Sequence, residues 1–264
     1  GIKKDYINKY KNISKEKIIF FLLFDKGNPS SITNCIKNAR ENIRMVRTAV
    51  TLEVWNAVNS SFHDMNSNIK QTKSILKELP QIIEWVKKQV NLIRGTILNT
   101  QLINDGYDFL ILGTYFERAD FTARIINVKY FILLPSVNYV GTNVDNFQWS
   151  MMLRSISSYR AFKWAYGQEE INYVKIIDFL ILNLTCPRSL IFSIEKINHH
   201  LGRLAKFYKQ KSVAKNKIKL MYKDFKHLNA TKISDQGLHE FLKLFIRDID
   251  LIYREIEKKY FFGL

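Results

Sequence analysis

Cysteine, glycine and proline are all scarce in this sequence. Its 264 residues include two cysteines, Cys35 and Cys186, together with ten glycines and four prolines. A single pair of cysteines argues against a disulfide-stapled scaffold and fits a reducing compartment. Few glycines and prolines argue against a fold rich in tight turns and favour long helices. No apolar run approaches the roughly 20 residues of a membrane span, so we expect a cytoplasmic protein without a membrane partner.

Apolar residues and positive charge are what the sequence has in quantity. Hydrophobic residues make up 47% of the chain, which is enough to build a packed core. The formal net charge is +17, and a charge of this size favours anionic partners such as nucleic acid, phosphates or an acidic protein. Codon bias toward lysine and isoleucine explains the same charge without any partner, and we prefer that explanation.

The spacing of the apolar residues predicts helices along most of the chain. They recur at intervals of three and four residues, most regularly over 107–134, where they fit a heptad pattern. Prolines or capping residues mark the predicted helix boundaries: Asn28-Pro29, Pro80, Pro135, Pro187, and Ser234 or Asp235. No long segment alternates with period two, so the predicted fold class is all-α, a multi-helix bundle.

Two segments of the sequence resemble each other. The residues from Phe21 to Ile32 align without a gap with those from Phe179 to Leu190, and most positions are identical or similar. Chance similarity between two proline turns is one explanation, but we favour a duplicated helical unit. The prediction is one helical domain over 1–264 with repeat units of approximately 1–106 and 107–264. The first unit is expected to be incomplete, because it has no counterpart of the 107–134 helix.

Two rows of charged residues are predicted beside the apolar stripes of two helices. The acidic row on the 107–134 helix is Gly113, Glu117, Asp120, Arg124 and Asn127, and the basic row after Pro29 is Lys37, Arg40, Arg44 and Arg47. Several cations beside a core are costly unless they meet acids or a bound anion. We therefore hypothesise that the two rows face each other. The pairing is either a set of salt bridges or an anion pocket, and solvent-exposed rows are the remaining alternative.

The stretch Phe109-Leu-Ile-Leu-Gly-Thr-Tyr-Phe-Glu117-Arg118-Ala-Asp120-Phe-Thr-Ala-Arg124 resembles the signature of the bacterial alpha-E domain family. That family is named for a helix with a Glu-Arg pair, and other matching segments follow in the same order over most of the chain. Thr114 stands where the family usually has arginine. A first Glu-Arg helix is also missing here, and Gly1 replaces a methionine, so we expect a truncated, incomplete or divergent N-terminus.

The resemblance implies an all-α fold and a functional setting. Alpha-E domains are encoded beside, or fused to, circularly permuted ATP-grasp ligases and transglutaminase-like peptidases, and are suspected of serving peptide synthesis or tagging. No reaction and no cofactor is assigned to the domain itself. Glu117, Arg118, Asp120 and Arg124 therefore carry over as signature residues only.

Three functions are compatible with these patterns. The preferred one is a helical accessory protein that binds an ATP-grasp ligase or a transglutaminase-like protein, its peptide or an anionic small molecule. The second is an enzyme that uses Glu117 as acid or base beside an arginine cluster. The third is a nucleic-acid-binding protein that uses the lysines of 211–226, although a solvated basic face explains these better. Histidine and cysteine spacings predict no metal site.

Overall fold

A computed structural model describes residues 2–131, 142–167 and 171–261 of the chain, and every regular element among them is helical. The predicted all-α fold class is therefore confirmed. The chain divides into two compact units, unit 1 over Gly1–Ile103 and unit 2 over Asn104–Leu264. Within the described ranges, no helix has both the length and the apolar composition that crossing a membrane requires.

Unit 1 contains five α-helices and one 3-10 turn among its described residues. The helices are α1 Ile2–Tyr10, α2 Lys15–Leu23, α3 Ile32–Met45, α4 Leu52–Gln71 and α5 Ile75–Thr100, and the turn is Arg47–Ala49. Helix α4 packs against both α3 and α5. The core consists of two small clusters, one around Leu23 and Met65 and the other around Ile43 and Val54.

Unit 2 has the larger core. Its helices are α6 Asp105–Phe131, α7 Asn143–Ser155, α8 Tyr159–Tyr166, α9 Tyr173–Ile177, α10 Leu190–Phe207, α11 Val213–Lys226, α12 Ala230–Gln236 and α13 Leu238–Ile256. Two π-helical turns, Asp178–Leu182 and Glu257–Phe261, continue α9 and α13. Helix α6 packs against both α10 and α13. Its predicted apolar stripe is confirmed, since Leu112, Phe116 and Ala119 are buried. The helix end predicted at Pro135 lies outside the described residues.

The prolines do not occupy the positions predicted for them at the starts of α3 and α10. The N-cap of α3 is Ser31, whose hydroxyl accepts a hydrogen bond from the Asn34 amide, two residues after Pro29. Ser189 caps α10 in the same way, two residues after Pro187. In both helices the N-cap is a serine and not the residue before the proline. The serine side-chain oxygen reaches an otherwise unpaired amide of the first turn. Each proline lies instead in the turn that precedes the cap.

The two aligned segments form the same turn. The Asp25 carboxylate accepts a hydrogen bond from the Gly27 amide at 2.8 Å, and the Asn183 side chain accepts one from the Thr185 amide at 2.8 Å. The amides of Asn28 and Cys186 donate to the carbonyls of these same two residues. The shared turn explains the sequence similarity locally, and a duplication of whole units stays a prediction.

Two other predicted boundaries are wrong. Pro80 does not interrupt a helix, because α5 continues through it with Pro80 in its second turn, where one backbone hydrogen bond is lost. The last long helix begins after Gly237 rather than at Ser234 or Asp235, which belong to the short α12. Gly237 has φ +91, a conformation that favours glycine, and a Cβ there would lie 2.5 Å from the Glu240 carboxylate.

Candidate functional site

The acidic row of α6 lines an open groove against α13 in unit 2. The groove has a volume of about 710 Å³, and α6 contributes Glu117, Asp120 and Arg124 to it. Lys243, Arg247, Asp250 and Tyr253 of α13 form the opposite wall. One helical turn beyond Arg124, Asn127 Oδ1 lies 2.6 Å from His239 Nδ1, which links the two helices. The structure therefore brings most of the predicted acidic row together along one groove.

Charges of both signs balance in this groove. Three acids, Glu117, Asp120 and Asp250, lie beside three bases, Arg124, Lys243 and Arg247. The Arg124 guanidinium donates to Asp120 at 2.6 Å, as its spacing on the helix predicted. This hydrogen bond, with the nearby charges of Asp120, Glu117 and Asp250, raises the pKa of Arg124. Arg124 is thus a permanent cation fixed among carboxylates.

Glu117 differs from its neighbours in the groove. Its side chain is exposed, and it makes no hydrogen bond or ion pair to any residue that the structure describes. Asp120, one turn further along, is already neutralised by Arg124. The carboxylate of Glu117 is therefore the acidic group of the row that is available to a molecule from outside.

Arg118, the second residue of the signature pair, points to a different place. Its guanidinium donates to the carbonyl oxygen of Pro187 at 3.1 Å and lies over the Tyr115 ring at 4.9 Å. Thr122, one turn later, donates to the carbonyl of Arg188 at 3.0 Å. Together these bonds attach α6 to the turn that starts α10. The two residues of the pair thus have different surroundings, because consecutive helix positions point about 100° apart.

Two cations of the basic row, Arg40 of α3 and Arg47 of the 3-10 turn after it, have aromatic partners within unit 1. Arg40 donates to Asn59 at 2.7 Å and lies 4.6 Å from the Phe62 ring centre, and Arg47 lies 5.0 Å from the Trp55 ring centre. All three of these partners belong to α4. Stacking on aromatic faces is a third way to stabilise cations beside a core, besides the salt bridges and the anion pocket predicted from the sequence.

The other two cations of the row are exposed on α3. Lys37 has one weak ion pair with Glu41 at 3.8 Å, and Arg44 is exposed to solvent. Because the hypothesis that this row faces Glu117 joins residues of the two different units, it stays a prediction.

Several buried polar groups of unit 2 were not predicted from the sequence. The buried Asp108 carboxylate lies 2.7 Å from His200 Nδ1 and accepts two hydrogen bonds from Arg203 Nε at 2.8 and 3.0 Å. Burial lowers the pKa of His200, and the adjacent Asp108 only partly opposes this effect. Lys129 pairs with Asp145 further along α6. Asp108, Thr122 and Lys129 are all buried and spaced by multiples of seven, which is the signal that could have found them.

The fold and the groove define a class of protein: an all-helical protein whose long signature helix presents an exposed glutamate in an open, charge-balanced groove. Residues 1–261 match the alpha-E family, described as a predicted alpha-helical domain with a conserved ER motif, and the chain belongs to that family. No curated protein and no solved structure matches the chain. Among the described residues, no cluster of three histidine, cysteine, aspartate or glutamate side chains is arranged to hold a metal ion.

Proposed function

We propose that this protein is a non-catalytic helical partner of an ATP-grasp ligase in a peptide-synthesis or peptide-tagging system. In this proposal the groove between α6 and α13 is the docking site for the ligase or its peptide. The observation that carries the proposal is the exposed Glu117 carboxylate, which has no partner among the described residues and lies in an open groove. An exposed carboxylate that has no hydrogen bond or ion pair among the described residues is suited to a partner.

The charge pattern of the groove supports a peptide as the contacting chemistry. Glu117 offers an acceptor for ammonium or N–H groups, and Lys243, which is also exposed, offers a donor for a carboxylate. A peptide segment carries both kinds of group. Charged pairs of this kind determine which partner is accepted and in which orientation more than they add affinity. The apolar residues Phe116, Ile246 and Ile249 at the base supply the contact area.

The enzymatic alternative has less support. A general acid or base that works near neutral pH is usually a carboxylate taken out of water, because burial brings its pKa toward that range. Glu117 is exposed instead, and the groove is open rather than enclosed. The nucleic-acid alternative also gains little, because two of the α11 lysines have protein partners: Lys217 pairs with Glu255, and Lys226 lies over the Tyr222 ring.

The test is co-expression of the chain with an ATP-grasp ligase from the same genome, the kind of partner that the family resemblance implies. We expect the two proteins to co-purify and the chain to change the rate of the ligase. The charge reversal Glu117→Lys should abolish both effects without lowering the melting temperature. Glu84→Lys is the matched control, since Glu84 is an exposed helical glutamate of α5 and its change of charge is the same.

Two results would contradict the proposal. One is the absence of co-purification and of any rate change with the native chain. The other is an equal loss with Glu84→Lys and Glu117→Lys, which would indicate a general charge effect rather than docking in the groove.

A further inference from the structure

A second groove in unit 2 lies between α10 and α11. It has a volume of about 650 Å³ and shares no lining residue with the groove that contains Glu117. Four cationic side chains line it, Lys196, Arg203, Lys206 and Lys215, against one acid, Glu195. The excess of positive charge, absent from the first groove, indicates a site for an anion.

Two of the four cations are already compensated. The Arg203 guanidinium donates to the buried Asp108 carboxylate, and Lys196 lies 3.7 Å from Glu195. The other two differ, since no carboxylate among the described residues pairs with Lys206 or Lys215. The positive charge of these two lysines is therefore not neutralised by the part of the chain that the structure describes.

Lys215 is held in place rather than free in solvent. Its ammonium donates to the carbonyl oxygen and to the side-chain oxygen of Asn198, both at 2.7 Å. Both acceptors are neutral, and an ammonium group has three donors, so one N–H is left for a ligand. Burial and the nearby charges of Lys219 and Lys206 lower the pKa of Lys215. A bound anion would relieve this repulsion.

Gly202 makes room for the Lys215 ammonium. A Cβ at position 202 would lie 3.2 Å from Nζ, closer than a side chain accepts without moving, and Gly202 is in the middle of α10. Glycine inside a helix destabilises it relative to alanine. The close approach of Lys215 is a reason for glycine at this position.

We propose that the groove between α10 and α11 binds the phosphate groups of a small phosphorylated ligand through Lys206 and Lys215. Lysine ammonium groups bind phosphate oxygens as point charges. Lys206 and Lys215 are close enough for their charges to interact, and a phosphate group carries about two negative charges where a carboxylate carries one. The arginine of this groove, Arg203, is already engaged by Asp108. Phosphate is therefore favoured over carboxylate.

The experiment titrates the full chain with inorganic pyrophosphate by isothermal calorimetry at moderate salt. We expect saturable binding, about tenfold or more weaker in Lys206→Met, because a charge-assisted contact is lost. Lys223→Met should bind as the native chain does. It removes an equal charge from an exposed position of α11 that does not line the groove.

Gly202→Ala changes the position of the Lys215 ammonium without changing the net charge of the protein. The substitution favours the helix, but it shifts the Lys215 ammonium by about a few tenths of an ångström, so we expect a modest weakening of pyrophosphate binding. Citrate, titrated in parallel, should bind more weakly than pyrophosphate. The proposal is overturned if pyrophosphate shows no saturable binding at millimolar concentration, or if Lys223→Met weakens binding as much as Lys206→Met. Equal affinity for citrate and pyrophosphate overturns it as well.

Discussion

Lys129 of α6 donates a hydrogen bond to the Asp145 carboxylate of α7, and each side chain is only 2% exposed. The Lys129 ammonium also lies 4.4 Å from the centre of the buried Trp149 ring. Removing two charges from water is costly, and their mutual attraction offsets that cost only while both are present. Asp145 lies in the first turn of α7, where a negative charge is further favoured by the helix dipole. The pair therefore fixes how α7 packs on α6.

Lys129→Met should lower the free energy of unfolding by about 3–5 kcal/mol, because it leaves the Asp145 carboxylate buried without its cation. The double variant Lys129→Met/Asp145→Leu should recover at least half of this loss, since an apolar pair leaves no uncompensated charge. Urea denaturation followed by circular dichroism measures both. A loss below about 1 kcal/mol in the single variant would show that water reaches the pair.

Arg118→Ala should destabilise unit 2 by about 1–2 kcal/mol through loss of the hydrogen bond to Pro187 and of the stacking on Tyr115. Partial exposure of Arg118 keeps the effect below that of the buried pair. Arg160→Ala is the matched control, because Arg160 is exposed on α8, and it should change stability by less than about 0.5 kcal/mol. If Arg118→Ala and Arg160→Ala lowered the stability equally, the contacts of Arg118 would have no structural role.

Arg40→Ala should destabilise the protein, whereas Glu117→Ala should leave its stability almost unchanged. Arg40→Ala loses the bond to Asn59 and the Phe62 ring, so we expect about 1–2 kcal/mol of destabilisation. Glu117→Ala removes an exposed side chain with no partner among the described residues, and we expect a change within about 0.5 kcal/mol. Thermal unfolding of both variants is the measurement. A clear loss of stability in Glu117→Ala would mean that the carboxylate serves the fold rather than a partner.

Asp25 makes the stability of unit 1 sensitive to acid. Burial raises the pKa of this carboxyl, but hydrogen bonds from Lys9, Tyr10 and the Gly27 amide outweigh burial, so the pKa lies below its ordinary value. The folded state therefore binds a proton at Asp25 less readily than the unfolded state does. This contribution to stability is complete above the unfolded pKa of about 4 and is lost as the pH falls through the folded value.

Asp25→Asn tests this relationship. The variant should be less stable than the native chain at pH 6, and the difference should shrink as the pH falls below about 4. Urea midpoints at pH 6, 5, 4 and 3 measure the effect. A constant difference between the two proteins over the whole range would show that the ionised form of Asp25 contributes nothing.

Local pattern was enough to predict much of the helical architecture. The apolar stripe of α6 is buried as its spacing predicted, and the ion pair of Asp120 with Arg124 follows from their separation of four residues.

The positions of the helix caps were harder to predict from the sequence. Asn28-Pro29 satisfies the general rule for a helix start, yet Ser31 is the residue whose hydroxyl reaches an unpaired amide. Several residues nearby in the sequence satisfy the same rule, so the rule alone does not select among them.

The candidate site was only partly predictable for the same reason. Periodicity places Glu117 and Arg118 on one helix, but it does not say which helices lie opposite each of them. Arg40 was expected to need an acid or an anion, and the Phe62 ring of α4 serves it instead. The residue that stabilises such a cation depends on which side chains the neighbouring helix places beside it.

The sequence by itself determined the class of fold, the helix that carries the Glu-Arg pair and the excess of positive charge, because these depend on composition and short-range spacing. Only the tertiary structure decided that Glu117 faces an open groove while Arg118 holds the start of α10, and that Lys129 meets Asp145 inside the core. These contacts are determined by helix packing, because packing brings together residues whose separation along the chain carries no local signal.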